Sequence, residues 1–229
     1  MSLLFKRIVS FARKRSNNPK KESEVLSQLL PSFSAIVPED GGVLEKLSDV
    51  FSQDSNQNNF KSYVLEIGFG SGENILERAI DDPDIGFIGC EVFTGGVVKL
   101  LECIDENQVK NIRIWHDDAL ELIARLPLDS LKLVYILHPD PWPKQKHKKR
   151  RLINAEFLKL ITSKIMPNGD LLIITDHKDY AKHINQTVKE VEDILIRKHS
   201  NYPEITKTKY RLKAEAIGMD SEYFYLVKK

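Results

Sequence analysis

From residue 63 to residue 175, five short and nearly unbroken apolar runs alternate with segments whose apolar residues recur at helical spacing. The runs at 63–67, 86–92, 111–115, 131–137 and 171–175 have the length of strands, and the segments at 73–80, 95–106, 119–125, 152–165 and 181–198 are predicted helices. A strand wetted on one face alternates apolar with polar residues. Most of these runs do not, so both faces must be buried, as in a parallel sheet covered by helices on its two sides. The helices supply the crossovers that parallel neighbours need. Asp81-Asp-Pro83 stops the first helix, and Met166-Pro-Asn-Gly169 reads as a helix-to-strand turn. Residues 22–30 read as a short helix, 52–59 as a polar loop, and 206–227 as two more strands, bringing the expected sheet to seven. In such a sheet ligands bind beyond the carboxyl ends of the strands.

A chain of 229 residues suits one α/β domain, here 22–229, preceded by a basic arm at 1–21. The arm mixes Leu3, Leu4, Phe5, Ile8, Val9 and Phe11 with cations and lacks a small-residue cleavage site, so it reads as an amphipathic arm and not a signal peptide. No apolar run approaches the ~20 residues that span a bilayer, and no membrane partner is expected. Cys90 and Cys103 have neither metal-type nor redox-type spacing. They read as reduced core residues of a cytoplasmic protein with no metal site. Monomer and homodimer are both compatible with the sequence.

The net charge of +1 hides an asymmetry. Lys6, Arg7, Arg13, Lys14, Arg15, Lys20 and Lys21 occur with no acid among them, and a second run holds Lys144, Lys146, Lys148, Lys149, Arg150 and Arg151 with His147. One such run is usually a solvated face. Two runs, one beside a loop with its own chemistry, point to a polyanionic partner.

The first predicted strand ends in Glu66-Ile-Gly-Phe-Gly-Ser-Gly-Glu73, with Gly68, Gly70 and Gly72 spaced G-x-G-x-G. A dinucleotide fingerprint would put its third glycine at position 73, where this chain has Glu73. An acid at that helix start repels a pyrophosphate. S-adenosylmethionine carries no phosphate but has a sulfonium and an ammonium group, which Glu66 suits. Glu91 ends the second strand and can accept from both ribose hydroxyls. After the third strand, Asp118, with Asp117 as the alternative, can accept from the adenine amino group. Each acid taken alone also reads as a helix cap or a surface charge. Three acids on successive strand ends, in the order a nucleoside cofactor requires, say more than any one of them.

The fourth strand runs into His138-Pro-Asp-Pro-Trp-Pro-Lys144. Prolines on both sides of Asp140 stiffen the loop. A rigid acid beside Trp142 can hold a planar base by edge hydrogen bonds and packing, and the cations that follow can hold phosphates, a combination common in RNA binding. The bland reading is a proline-rich surface loop with a solvated tail.

At this loop the chain resembles the tRNA guanine-N7 methyltransferases of bacterial type. The similarity rests on Pro139-Asp-Pro-Trp-Pro-Lys144 with His147 and Lys149-Arg-Arg151, on Glu66 to Gly72, Gly89 to Glu91, Asp118-Ala119, Thr175-Asp176, and Thr208-Lys-Tyr210 near the end. The resemblance implies a Rossmann-like class I S-adenosylmethionine-dependent methyltransferase, α/β, with a central, mostly parallel seven-stranded sheet. It implies S-adenosyl-L-methionine as cofactor, tRNA as partner, and transfer of a methyl group to guanine N7 in the variable loop. By the same resemblance Glu66, Gly68, Gly70, Gly72, Glu91, Asp118 and Asp140 line the cofactor and reaction site, with Asp140 catalytic. Lys144, Asp176, Thr208, Lys209, Tyr210 and Arg211 contact substrate, and Lys146, His147, Lys148, Lys149, Arg150 and Arg151 contact RNA. The family usually carries Glu where this chain has Arg211.

Guanine N7 has an in-plane lone pair and attacks a methyl sulfonium without deprotonation. Alignment is then the main task, and Asp140 is expected to position the base, not to accept a proton. Rival readings are methylation of an exocyclic amine, a non-catalytic RNA-binding protein of the same fold, and an NAD oxidoreductase, the last disfavoured by the glycine spacing.

Overall fold

A computed structural model describes residues 18–38, 41–52, 60–203, 205–206 and 221–229. Most of the expected arm, the loop at 53–59 and positions 208–211 lie outside the described residues.

Seven strands form one sheet in the order β3-β2-β1-β4-β5-β7-β6. They are β1 (Ser62–Ile67), β2 (Ile85–Cys90), β3 (Ile112–Trp115), β4 (Leu131–Leu137), β5 (Ile165–Thr175), β6 (Leu195–Lys198) and β7 (Glu222–Lys228). The first five pair parallel, and β7 is antiparallel to both β5 and β6. The helices are α1 (Pro19–Phe33), α2 (Glu73–Asp81), α3 (Thr94–Glu106), α4 (Ala119–Arg125), α5 (Ala155–Lys164) and α6 (Lys178–Lys189). Short 3₁₀ turns occupy Leu47–Phe51 and Gln145–Arg150. Among the described residues no helix is long and apolar enough to cross a membrane.

The unbroken apolar strands do bury both faces. On one side Leu65, Val134, Ile136 and Ile173 meet Leu122, Phe157, Ile161 and Ile184 of α4, α5 and α6. On the other, Val64, Phe87, Leu172 and Ile174 share a core with Ile75 of α2 and Val97, Leu100 and Leu101 of α3. Val25, Leu26, Leu29, Leu30 and Phe33 of α1 pack against that second core.

Local chemistry sets the helix starts. Asn18 caps α1 by accepting from the Lys21 N–H, with Pro19 at the first helical position, so Pro19, Lys20 and Lys21 belong to the helix and not to the arm. Asn154 caps α5 at the Phe157 N–H (2.9 Å), three residues later than the apolar pattern suggests. The Ile153 N–H is already committed to the Tyr180 hydroxyl.

One expectation fails near the end of the chain. The helix predicted over 181–198 stops at Lys189, and Leu195–Lys198 is instead the edge strand β6. Ile184, Val188, Val191 and Leu195 have helical spacing and are all buried, but pairing with β7 takes the last of them into the sheet. Of the two strands expected over 206–227, β7 is present and pairs with β6 from before that range, while residues 207–220, where the other would lie, are outside the described residues. The turn predicted at 166–169 is absorbed into β5. There Asn168 has φ +61°, and the register with β4 jumps from Leu131↔Ile165 to Leu133↔Asp170.

Candidate active site

The strand order reverses between β1 and β4, since β1 leads through β2 to β3 on one side while β4 leads to β5 on the other. Such a switch point opens a crevice at the strands' carboxyl ends. The ends are level, with Ile67 opposite Cys90, Cys90 opposite Trp115, and Leu137 opposite Ile174. The glycine loop after β1 and the proline loop after β4 therefore flank one crevice.

Gly68, Gly70 and Gly72 all have positive φ, from +59° to +79°. A methyl group placed on Gly68 or Gly70 would meet nothing within 4 Å, so both leave open space above the strand end. Gly72 differs, because a Cβ there would lie 2.6 Å from Leu100 Cδ1. A fourth glycine, not singled out from sequence, completes the cradle. A Cβ on Gly96 of α3 would lie 2.1 Å from the Gly70 carbonyl oxygen. Gly96→Ala is expected to push loop and helix apart, at a cost typical of overpacking, about 1–3 kcal/mol. Calorimetric titration with S-adenosylmethionine should show affinity lost even at temperatures where the variant stays folded. Unchanged affinity would mean that the cradle is irrelevant to the ligand.

Three acids stand at or just past the ends of β1, β2 and β3. Glu66 is 3% exposed and accepts from Asn74 Nδ2 at 2.8 Å. Burial raises its carboxyl to about 7, partly opposed by the Asn74 bond. Glu91 is more committed than its sequence role suggests. Its Oε2 accepts from the Gly70 N–H (2.9 Å) and its Oε1 from the Val92 and Phe93 N–H groups (both 2.8 Å). A carboxylate offers about four acceptor positions, so Glu91 both shapes the glycine loop and retains limited capacity for a ribose. Asp118 caps α4 through the Leu120 N–H at 2.9 Å, and Asp117 accepts from the Asp118 N–H at 2.7 Å. Burial pushes the Cys90 thiol up, with Glu91 and Asp118 adding to the effect, so it offers no thiolate nucleophile.

Across the crevice, Asp140 is exposed between Pro139 and Pro141. His138 and Trp142 bracket the loop with φ +52° and +43°, unusual for side chains of this size. Three contacts hold it. His138 N–H donates to the Ile174 carbonyl (2.8 Å), Arg151 Nε donates to the Pro141 carbonyl (2.9 Å), and the Trp142 ring packs edge-on against His147, 5.7 Å between centroids. The Arg150 guanidinium lies 5.0 Å from the Trp142 centroid. Asp176, just past β5, stands 3.9 Å from His138 Nδ1.

The basic run does not act as one surface. Lys144, Lys146, Lys149 and Arg150 are exposed. Lys148 pairs with Asp179 of α6 at 2.9 Å. Arg151 faces inward, contrary to its expected place on the RNA surface. Its side chain is 3% exposed, bonded to Asp179 and stacked 4.8 Å from the Tyr180 centroid. Its role is to brace the proline loop. The Arg151 bond, then the Lys148 bond, holds Asp179 down at about 2. Desolvation and the neighbouring Arg150, Lys146 and Lys144 lower His147 from the ordinary histidine value, which favours its neutral form.

A family model described as "Putative methyltransferase" matches residues 61–221. The tRNA (guanine-N(7)-)-methyltransferase of Wolbachia pipientis wMel is 44% identical over 194 residues, covering 82% of this chain and 87% of the relative. The chain belongs to the tRNA (guanine-N(7)-)-methyltransferase family. A second member, from Zymomonas mobilis, is 35% identical over 213 residues, covering 89% of this chain and 87% of its own. The fold is the Rossmann-like class I methyltransferase fold, shared with the 16S rRNA methyltransferase KamB at a TM-score of 0.56 and 13% identity, over 81% of this chain and 95% of that one. Membership implies a methyl donor of the S-adenosylmethionine type, and the open glycine cradle with Glu66 beneath it fits such a group.

Proposed function

We propose that the chain transfers a methyl group from S-adenosyl-L-methionine to N7 of guanine in tRNA. The observation that carries this is the placing of the glycine cradle and the Pro-Asp-Pro-Trp loop on β1 and β4, the adjacent strands at the switch point. S-adenosylmethionine, when bound, supplies an electrophilic methyl on a sulfonium. The N7 lone pair forms the new N–C bond as the S–C pair returns to sulfur. Glu66 faces the donor's cationic end, Glu91 the ribose and Asp118 the adenine. Asp140 grips the base, and Lys144, Asp176 and the segment carrying Thr208, Lys209, Tyr210 and Arg211 contact the substrate. No side chain has to accept a proton from N7, so the protein acts by alignment.

Incubating the protein with labelled S-adenosylmethionine and unmodified tRNA, then analysing nucleosides by mass spectrometry, tests the proposal. The expected product is 7-methylguanosine. Label in an exocyclic amine, or none at all, would overturn it.

Of the exposed cations, Lys144 is placed at the substrate, and Lys146, Lys149 and Arg150 face phosphates. Replacing all three with alanine should weaken tRNA binding and lower the slope of log affinity against log salt by roughly two units, since each phosphate contact contributes about 0.7–0.9. Donor affinity should not change. An equal loss of both would make the run structural.

A further inference from the structure

Among its described residues, the connection between β6 and β7 touches the methyl-donor side of the sheet through a polar contact at Thr206. Tyr202 packs on Tyr223 and Tyr225 (5.3 and 5.9 Å between centroids), and Ile205 joins the core beneath α2 and α3. The Thr206 N–H then donates to Asn74 Oδ1 at 2.9 Å. Asn74 lies in the first turn of α2, directly after the glycine loop, and is 1% exposed. Its other end, Nδ2, is the group that donates to Glu66. One buried amide thus joins the carboxylate under the cradle to a backbone group 132 residues away. The amide cannot be reversed, because a flip would set oxygen against carboxylate and NH₂ against N–H.

We propose that Asn74 is a positioning residue that couples methyl-donor binding to tRNA binding, by tying Glu66 to the Thr206 backbone. The inference rests on the proposed function, which puts the donor at Glu66 and the substrate against the residues that follow Thr206. A cationic donor keeps Glu66 charged. A charged Glu66 holds the Asn74 NH₂ more firmly, and this presents Oδ1 to Thr206. A buried polar network of this kind fixes one arrangement because any half-satisfied one is costly. Coupling of this type is reciprocal: a donor that improves tRNA affinity must itself be bound more tightly when tRNA is present.

The test uses the full chain, unmodified tRNA transcript, and S-adenosylhomocysteine as a non-reactive probe that keeps the donor's ammonium group. In the wild type, saturating probe should tighten tRNA binding by about fivefold or more, within the usual range of coupling between sites. Asn74→Leu, which removes both bonds at similar volume, should bring that ratio to about one, even where each ligand alone still binds. Thr206→Pro removes the N–H together with the side-chain hydroxyl and should do the same while leaving probe affinity at the wild-type level, whereas Thr206→Ala, which keeps the N–H, should retain the wild-type ratio. A purely structural Asn74 would lower melting temperature and both affinities but leave the ratio intact, and that result overturns the inference. Should the variants fail to fold, amide exchange decides in the wild type. Probe binding should slow exchange at Thr206, and an unchanged rate overturns the proposal. A wild type that couples no ligands yet makes 7-methylguanosine defeats this inference alone. A wild type that makes no methylated nucleoside defeats the proposed function as well.

Discussion

Asp140→Asn should lower turnover by about a hundredfold or more while S-adenosylmethionine affinity changes little, the scale expected when a reacting group is misplaced by about 1 Å. Guanine carries its hydrogen-bond donors, N1–H and N2–H₂, on the edge away from N7. A carboxylate gripping that edge leaves N7 pointing at the methyl group. Asparagine keeps the size but turns one acceptor into a donor, which opposes N1–H or N2–H₂. The loop itself should survive, because it is held from outside by the Ile174 carbonyl, by Arg151 and by the Trp142–His147 packing. Single-turnover kinetics separates the effect from product release. Full turnover in Asp140→Asn with normal donor binding would remove Asp140 from the mechanism.

The second large effect is a pH dependence of donor binding. The Glu66 carboxyl sits at about 7 in the free protein because burial penalises its charge. A cationic ligand needs the charged form. Below pH 7 binding must therefore first expel a proton, and affinity at pH 6 should be about tenfold weaker than at high pH. Stability of the free protein runs the opposite way. A carboxyl raised above its ordinary value contributes stability that is complete below about pH 4.5 and lost as pH rises through about 7. The donor should thus raise the melting temperature more at pH 8 than at pH 6. Glu66→Gln should flatten the affinity profile at a uniformly weak value. A flat profile in the wild type between pH 5.5 and 8 would sink the idea.

The sheet was readable from sequence because continuous apolar runs are a strong signal, and α4 and β4 begin and end where their patterns do. What escaped had physical causes. Val188, Val191 and Leu195 keep helical spacing whether the last is in a helix or a strand, and only β7, far along the chain, settles it. The run 144–151 reads as uniform charge, yet Arg151 turns inward because Asp179, 28 residues later, neutralises it. Glu91 looked like a ribose acceptor and is also the clamp on the glycine loop, since three backbone donors converge on it. Asn74 gave no signal at all: its meaning lies in Glu66 and Thr206, and no local pattern relates them. Gly96 was visible as a glycine at a helix start, but its contact with Gly70 needed the fold.

The antiparallel β7 has a consequence for how the molecule is made. It is the bridge between β5 and β6, which do not pair with each other, so two neighbours in space wait on residues 222–228. On the ribosome, a nascent chain halted before Glu222 would lack the strand that covers the β5 edge, leaving that edge a ready template for association with other unfinished chains.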